Sequence, residues 1–442
     1  MKYFYHGSFC AGIEQLDARS RLHNTDKKVV YLTDNIPYAL FYIWDEQRNE
    51  YSGKYVTGWM RDGVAWYEEQ FSEQLKTFYK GVSGYLYCIA DDSNMKAVED
   101  RENMFYSTEN VKVSKVIQIR DVYEELLKYE AEGKLKVLRF NEQSEERQNE
   151  LVDFMVEGFK RSGFFAGNSQ KIAFMKKHFP KAWEKAMNLE KIYKEEDLFP
   201  REITNWEERE YGVLFYNEVN KDSYDSNHGV IFKNRVKDLH EVLEDIIAFY
   251  VGKGMRPIIY QSISDEGYFE EIKDVLSDYG FESWSEEQKY MILSEENRIV
   301  PNPEIVVSKV SEWQEEYASE IFEKAEEPWE IAVARKSLAN ENTLFFVAYA
   351  EGKPVGMTYA HVRDGVCRVN YLLVSKEHRR LGVGRAIISS FVEYCNTHQI
   401  ENCFLWPDGE TAEKIYYEAG FRHVETKQAG RASYSKELGR RP

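Results

Sequence analysis

Cysteine is scarce in this chain. There are five in 442 residues, at positions 10, 88, 367, 395 and 403, an odd number with no C-x-x-C pair. That argues against a disulfide framework and against a zinc site, so no metal is expected and the thiols are read as small buried groups in a reducing compartment. Long apolar runs are absent too. No stretch approaches the roughly 18 apolar residues needed to cross a bilayer, so no membrane partner is expected. The opening Met1-Lys2-Tyr3-Phe4-Tyr5-His6 lacks the apolar core and small-residue cleavage site of a signal peptide, and the expected location is cytoplasmic. Positive charge is in deficit: 58 Lys and Arg stand against 76 Asp and Glu, a formal net charge of -18. A nucleic-acid backbone is therefore not an expected partner, because phosphates need a basic face. Cationic small molecules such as amines suit the global field better.

What is present is enough chain for several cores. The reading is a multidomain α+β and α/β protein in four stretches. Residues 1–120 are α+β, with strands at Val29–Thr33, Gly84–Ile89 and Val111–Ile119, and with the aromatic stretch 59–80 (Trp59, Trp66, Tyr67, Phe71, Phe78) reading as helical. Residues 121–200 form a helical extension, in which Leu151, Phe154, Met155 and Phe159 share one helix face. Residues 201–299 and 300–442 each run strand, strand, helix, strand, helix, strand. Their ends match at an offset of 140 residues, Asp278-Tyr279-Gly280-Phe281 against Glu418-Ala419-Gly420-Phe421, with Pro301-Asn302-Pro303 as the hinge.

The chemistry-bearing motif lies in the second copy. The buried-strand run Tyr371-Leu372-Leu373-Val374 leads through Arg379-Arg380-Leu381-Gly382-Val383-Gly384-Arg385-Ala386 into a helix. A strand entering a helix through a glycine-rich turn makes an anion site, since the first helical N–H groups lack carbonyl partners and sit at the positive end of the dipole. Gly382 and Gly384 allow close approach, and Arg379, Arg380 and Arg385 add charge.

This segment resembles the GCN5-related N-acetyltransferase (GNAT) family, whose Arg/Gln-x-x-Gly-x-Gly/Ala signature is matched by Arg379, Gly382 and Gly384. Ala412 to Phe421 resembles that family's A-x-x-x-Y-x-x-x-G-F segment, and Thr343–His361 its central hairpin. The resemblance implies tandem GNAT-like mixed sheets with flanking helices, acetyl-CoA as acyl donor, and a small-molecule or peptide amine as acceptor, acetylated by direct attack. It implies that backbone groups at Leu372 and Val374 hold the thioester arm, that amides from Arg380 to Arg385 take the pyrophosphate, and that Tyr416 protonates the leaving thiolate. For a general base the residues offer Glu410, Asp408, Glu330 and His361. Gly409 stands where the family often has Asn, which removes one expected cofactor contact.

In the first copy, the offset of 140 places Leu239–Glu244 opposite the loop and Leu276 opposite Tyr416, so this module is expected to have lost the chemistry. At the other end, Tyr5-His6-Gly7-Ser8 and Val30-Tyr31-Leu32-Thr33 resemble the ADP-ribosyltransferase superfamily, in layout most like the rifampin ADP-ribosyltransferases. That resemblance implies an NAD-like site at His6 and Tyr31, with Glu109 as the acid and Asp91 and Asp92 as poorer matches. The alternative to an enzyme is a non-catalytic ligand- or partner-binding protein built on the same folds.

Overall fold

The structure is a computed structural model that describes residues 3–22, 25–50, 55–90, 93–161, 169–322 and 328–435. The chain divides into two compact units, residues 1–186 and 187–442. Among the described residues no helix is long and apolar enough to cross a membrane.

In the first unit the main sheet runs Lys115–Ile119, Gly84–Ile89, Phe4–Ser8, Lys28–Thr33, Met104–Ser107 and Lys96–Ala97. The stretch 59–80 is not one helix. Gly58–Arg61 and Val64–Glu68 form an antiparallel hairpin, and only Gln74–Tyr79 is helical. The reason is local: Asp62 and Gly63 both take positive φ (51° and 72°), the two-residue Asp-Gly turn that matches strand twist. In the helix Glu145–Arg161 the buried face holds Leu151, Met155 and Val156, whereas Phe154 is exposed. The buried face is therefore rotated from the expected one, toward Val156 and away from Phe154. The side chain of Phe159 lies outside the described residues.

The second unit is built on one eleven-stranded sheet. From edge to edge its strands are Asn205–Arg209, Gly212–Tyr216, Gly229–Ile231, Ile258–Gln261, Phe421–Tyr434, Phe281–Leu293, Cys403–Leu405, Val366–Val374, Lys353–Arg363, Thr343–Ala350 and Ile305–Lys309. The two long central strands pair antiparallel along their length, with Phe281 opposite Tyr434 and Leu293 opposite Phe421. Each half thus lends its last strand to the other: Phe421–Tyr434 pairs with Ile258–Gln261, and Phe281–Leu293 with Cys403–Leu405. Both long strands begin after a glycine at positive φ, Gly280 (88°) and Gly420 (102°). A Cβ on Gly420 would come within 2.2 Å of the Glu295 carbonyl, so the glycine is required by both space and φ.

The unit begins at residue 187 rather than after 200 because Leu189, Ile192 and Tyr193 pack with Ile263, Tyr290 and Phe404. Helix Val383–Thr397 buries Ile387, Ile388, Phe391 and Val392 against the sheet, each worth about 1.5–3 kcal/mol of apolar burial.

Candidate active site

Helix Val383–Thr397 starts at Gly382, whose φ of 85° turns the chain into the first helical turn without any side-chain cap. Its first N–H groups are therefore unclaimed by a side chain, and the positive end of the helix is open. Around it, Arg380 takes a φ of 67°, the Arg379 Nε donates to the Val374 carbonyl at 3.1 Å, Arg385 pairs with Glu418, and Asn302 holds the Leu381 carbonyl at 3.1 Å. Leu381 itself is exposed. Gly384 has no structural need to be glycine. It lacks positive φ, and a Cβ there would meet only Val374, Ile415 and Leu372 side chains at ordinary distances of 3.7–3.8 Å.

The matching helix of the first half, Leu239–Gly252, begins differently. Its N-cap is Asp238, whose carboxylate accepts from the His240 and Glu241 amides at 2.8 and 3.4 Å. The two helices start 144 residues apart, so Asp238 stands where Gly382 does, and the expected alignment of Leu239–Glu244 with the loop was four residues out of register. The offset of 140 holds at the helix ends Asp278 and Glu418, so Leu276 takes the position in its helix that Tyr416 takes in the other. Thus the first half carries its own anion on the helix terminus.

Beside the loop the sheet splays. Strand Val366–Val374 pairs in parallel with Cys403–Leu405 only at Cys367 and Arg368. Beyond them it stays with Lys353–Arg363, and Asn370 bulges out of that ladder. The slot so opened joins a cleft of about 710 Å³ whose walls come from both halves of the sheet, including Leu372, Tyr416, Asp408 and Glu330 from one and Tyr260 and Asp225 from the other.

Tyr416 is buried on helix Gly409–Glu418 with its ring edge-on to Phe421 at 5.9 Å, and burial pushes its phenol up to about 12. Tyr417 is half-exposed under the Arg422 guanidinium and does not line the cleft. Of the four base candidates, Asp408 and Glu330 line the cleft. Glu410 is an exposed residue at the start of the same helix. His361 is fully buried, bonded through Nδ1 to Thr343 Oγ1, and burial with the nearby Arg368 charge lowers it to about 4.

Sequence reasoning missed the cleft's charged floor. Arg368 is buried, makes two bonds to Glu196 at 2.7 and 3.0 Å, and stacks on Phe199 at 3.7 Å. Its neighbour Asp197 accepts from Ser262 Oγ at 2.6 Å and from the Ile263 amide at 3.0 Å, yet burial dominates and pushes its carboxyl up to about 8. A raised carboxyl pKa means that the folded state keeps a proton the unfolded chain has lost. Stability from this group is full below pH 3.8 and is lost as pH rises through about 8. The buried histidines His228 and His361 act oppositely, and only below about pH 6.5. Between pH 6.5 and 8 the wild type should lose on the order of 1–2 kcal/mol, and Asp197→Asn should flatten that slope in urea melts. Glu195, raised to about 7 mainly by burial, adds to the same trend.

Three of the scattered cysteines converge. The sulfurs of Cys367, Cys395 and Cys403 lie within 4.8 Å of one another, all buried, with Cys395 on helix Val383–Thr397 and the other two on the adjoining strands Val366–Val374 and Cys403–Leu405. In the first unit, His6 and Tyr31 sit on neighbouring strands, joined by a 3.1 Å hydrogen bond between the His6 Nδ1 and the Tyr31 carbonyl. Glu109 is exposed, and its carboxylate accepts from the Asn94 amide at 2.8 Å. Asp91 and Asp92 lie outside the described residues.

A mixed sheet with an uncapped glycine turn beside a parallel splay is an open anion site at the mouth of a slot, the arrangement that the sequence resemblance implies. The family comparison agrees: residues 311–432 match the acetyltransferase (GNAT) domain, so the C-terminal part of the chain carries such a domain, an acyltransferase fold. Similar solved structures include a functionally unknown conserved protein from Staphylococcus epidermidis (16% identity, 55% of this chain and 98% of that one, TM-score 0.39). Another is a GCN5-related N-acetyltransferase from Kribbella flavida (15% identity, 56% and 95%, TM-score 0.40). A third is a tandem GNAT protein from the clavulanic acid biosynthesis pathway (10% identity, 48% and 76%, TM-score 0.35). No curated protein matches the sequence significantly.

Proposed function

We propose that the chain is an N-acetyltransferase with a single acetyl-CoA site at Arg379–Ala386, acting on an amine in the cleft by direct attack. The observation that carries this reading is the contrast between the two helix starts. Gly382 leaves the amides open where the sheet splays, while Asp238 closes them in the other half. The residues fit the donor: the amides from Arg380 to Arg385 bind the pyrophosphate, Gly384 leaves room beside it, and the backbone at Leu372 and Val374 holds the pantetheine arm along the slot. Acetyl-CoA supplies the activated acyl group as a thioester. Tyr416 keeps its proton at neutral pH and donates a hydrogen bond to the departing sulfur. Asp408 or Glu330 receives the proton of the incoming ammonium, because an amine attacks only when neutral. The half that precedes residue 300 is read as a degenerate GNAT-like module that forms the acceptor wall.

Gly384→Val tests the site, with Gly384→Ala as its control. The alanine variant should be as stable as the wild type or up to about 1 kcal/mol more stable, since alanine outranks glycine inside a helix. It should bind acetyl-CoA within about threefold of the wild type, because the signature admits alanine at this position and its Cβ meets only ordinary contacts. Gly384→Val should bind at least tenfold more weakly in calorimetry, with a thermal melt confirming that it folds. Unchanged affinity in a folded Gly384→Val would overturn the assignment.

The His6–Tyr31 juxtaposition favours a second reading, an ADP-ribosyltransferase-like first unit that binds NAD with Glu109 as its acid. Calorimetry with NAD, comparing wild type with His6→Ala, tests it; binding by neither retires it.

A further inference from the structure

The cleft that receives the acceptor has a lopsided charge. Six carboxyl groups line it (Glu196, Asp197, Asp225, Glu286, Glu330 and Asp408) against two guanidiniums, Arg368 and Arg431, although buried Asp197 keeps its proton at neutral pH and adds no charge. Both cations are already engaged, Arg368 by Glu196 and Arg431 by Glu286 at 3.7 Å. His228, buried beside Arg431, stays neutral because both influences lower its pKa to about 3. The walls are aromatic, with Trp329, Tyr359, Tyr371 and Trp406 from one half and Tyr224 and Tyr260 from the other. Carboxylates in surplus over aromatic faces are the surroundings that hold an ammonium group.

That field poses a problem for a simple amine. The attacking nitrogen must shed its proton, and a negative cleft resists that loss by favouring the charged form. An acceptor with one nitrogen gives up its attraction to the cleft at the moment of reaction. An acceptor with a second ammonium keeps it through the transition state. The first half of the sheet offers a fixed place for that second charge. Tyr260 is held on one face by His228, stacked at 3.9 Å and 15°, and on the other by Arg431 at 3.5 Å, and its hydroxyl donates to the Asp225 carboxylate at 3.3 Å. Tyr260 lies on strand Ile258–Gln261, four strands from Val366–Val374, which is roughly 19 Å at strand spacing.

We propose that the acceptor is a small linear polyamine with at least two ammonium groups: one nitrogen is acetylated beside Tyr416 and Leu372 while another pairs with the Asp225 carboxylate, which the Tyr260 hydroxyl positions in the degenerate half. This inference rests on the acetyltransferase reading and gives that half a task of its own, the measurement of a second charge.

The test uses the full chain with acetyl-CoA and two matched series, α,ω-diamines and monoalkylamines of increasing length, read by CoA release and by calorimetric binding in the presence of CoA. Diamines above a threshold length should exceed the matched monoamines at least tenfold in kcat/KM and in affinity. The advantage should shrink as salt rises from 50 to 500 mM. Asp225→Asn, at an exposed loop position, should cost diamines about tenfold and monoamines less than threefold. Equal use of both series, an equal effect of Asp225→Asn on both, or a preference for lysine peptides over every diamine would overturn the proposal while leaving the acetyltransferase reading intact. Tight acetyl-CoA binding with no CoA release to any amine would instead sink both.

Discussion

Tyr416→Phe should lower kcat by about a hundredfold or more while acetyl-CoA binds as tightly as before, a loss within the range that a positioned proton donor supplies. The substitution is unusually clean here. The ring of Tyr416 is what packs, edge-on to Phe421, and phenylalanine keeps that contact. Its hydroxyl is held by no side chain among the described residues, so its removal leaves no orphaned partner and stability should stay within about 0.5 kcal/mol. The pH profile separates this role from a structural one. Burial keeps the phenol protonated to about pH 12, so the wild-type rate should show no fall from tyrosine ionisation below pH 10. Any rise on the acid limb then belongs to the amine and its base. The mutant should retain that acid limb at lower amplitude. A change of less than threefold in kcat would remove Tyr416 from the chemistry and leave it as a core residue.

Some of this site was legible from the sequence and some was not, for physical reasons. Arg379, Gly382 and Gly384 are local: a strand run, a glycine turn and a helix start follow one another within twenty residues, so their juxtaposition needs no tertiary information. Tyr416 was legible for the same reason, being placed by the Gly420-Phe421 turn four residues on. The charged floor was illegible because Glu196 and Arg368 are 172 residues apart and meet only when the chain closes the sheet. The exchange of the two long strands was hidden likewise. Repetition announced two similar halves, but nothing in the Gly-Phe motif tells which neighbour each strand will choose. The four-residue slip at Asp238 shows the cost of carrying one offset through an insertion. The loop-to-helix junction had to be located by its N-cap, and Asp238 followed three residues later by Glu241 was the signal available. The first unit's hairpin was equally available in Asp62-Gly63, a turn signal that aromatic density in the flanking residues does not override.

Glu196→Gln should be the most destabilising single change at the cleft, by about 3–5 kcal/mol, because it leaves the Arg368 guanidinium buried without its counter-charge. Burial acts to raise the Glu196 carboxyl, but the Arg368 charge, its hydrogen bonds and a bond from the Trp406 indole together hold it below the ordinary value. A group with a lowered pKa contributes stability above its unfolded value of 4.5 and loses it as pH falls, so the wild type should also be acid-labile where the variant is less so. For a unit of this size the cost corresponds to a fall of roughly 10 °C in Tm. The compensating variant decides the cause. In Glu196→Leu combined with Arg368→Met both charges leave together, and most of the lost stability should return, since a buried pair replaced by apolar groups of similar volume is often neutral. Activity should not return with it. Arg368 is the last residue of the parallel pairing before the strands part, and Glu196 anchors the Trp406 indole on the cleft wall at 3.0 Å. The double variant should therefore fold with a near-native Tm and bind acetyl-CoA, yet show an acceptor KM raised at least tenfold. If stability and KM recovered together, the pair would be a packing element only, and the shape of the acceptor cleft would rest on other residues.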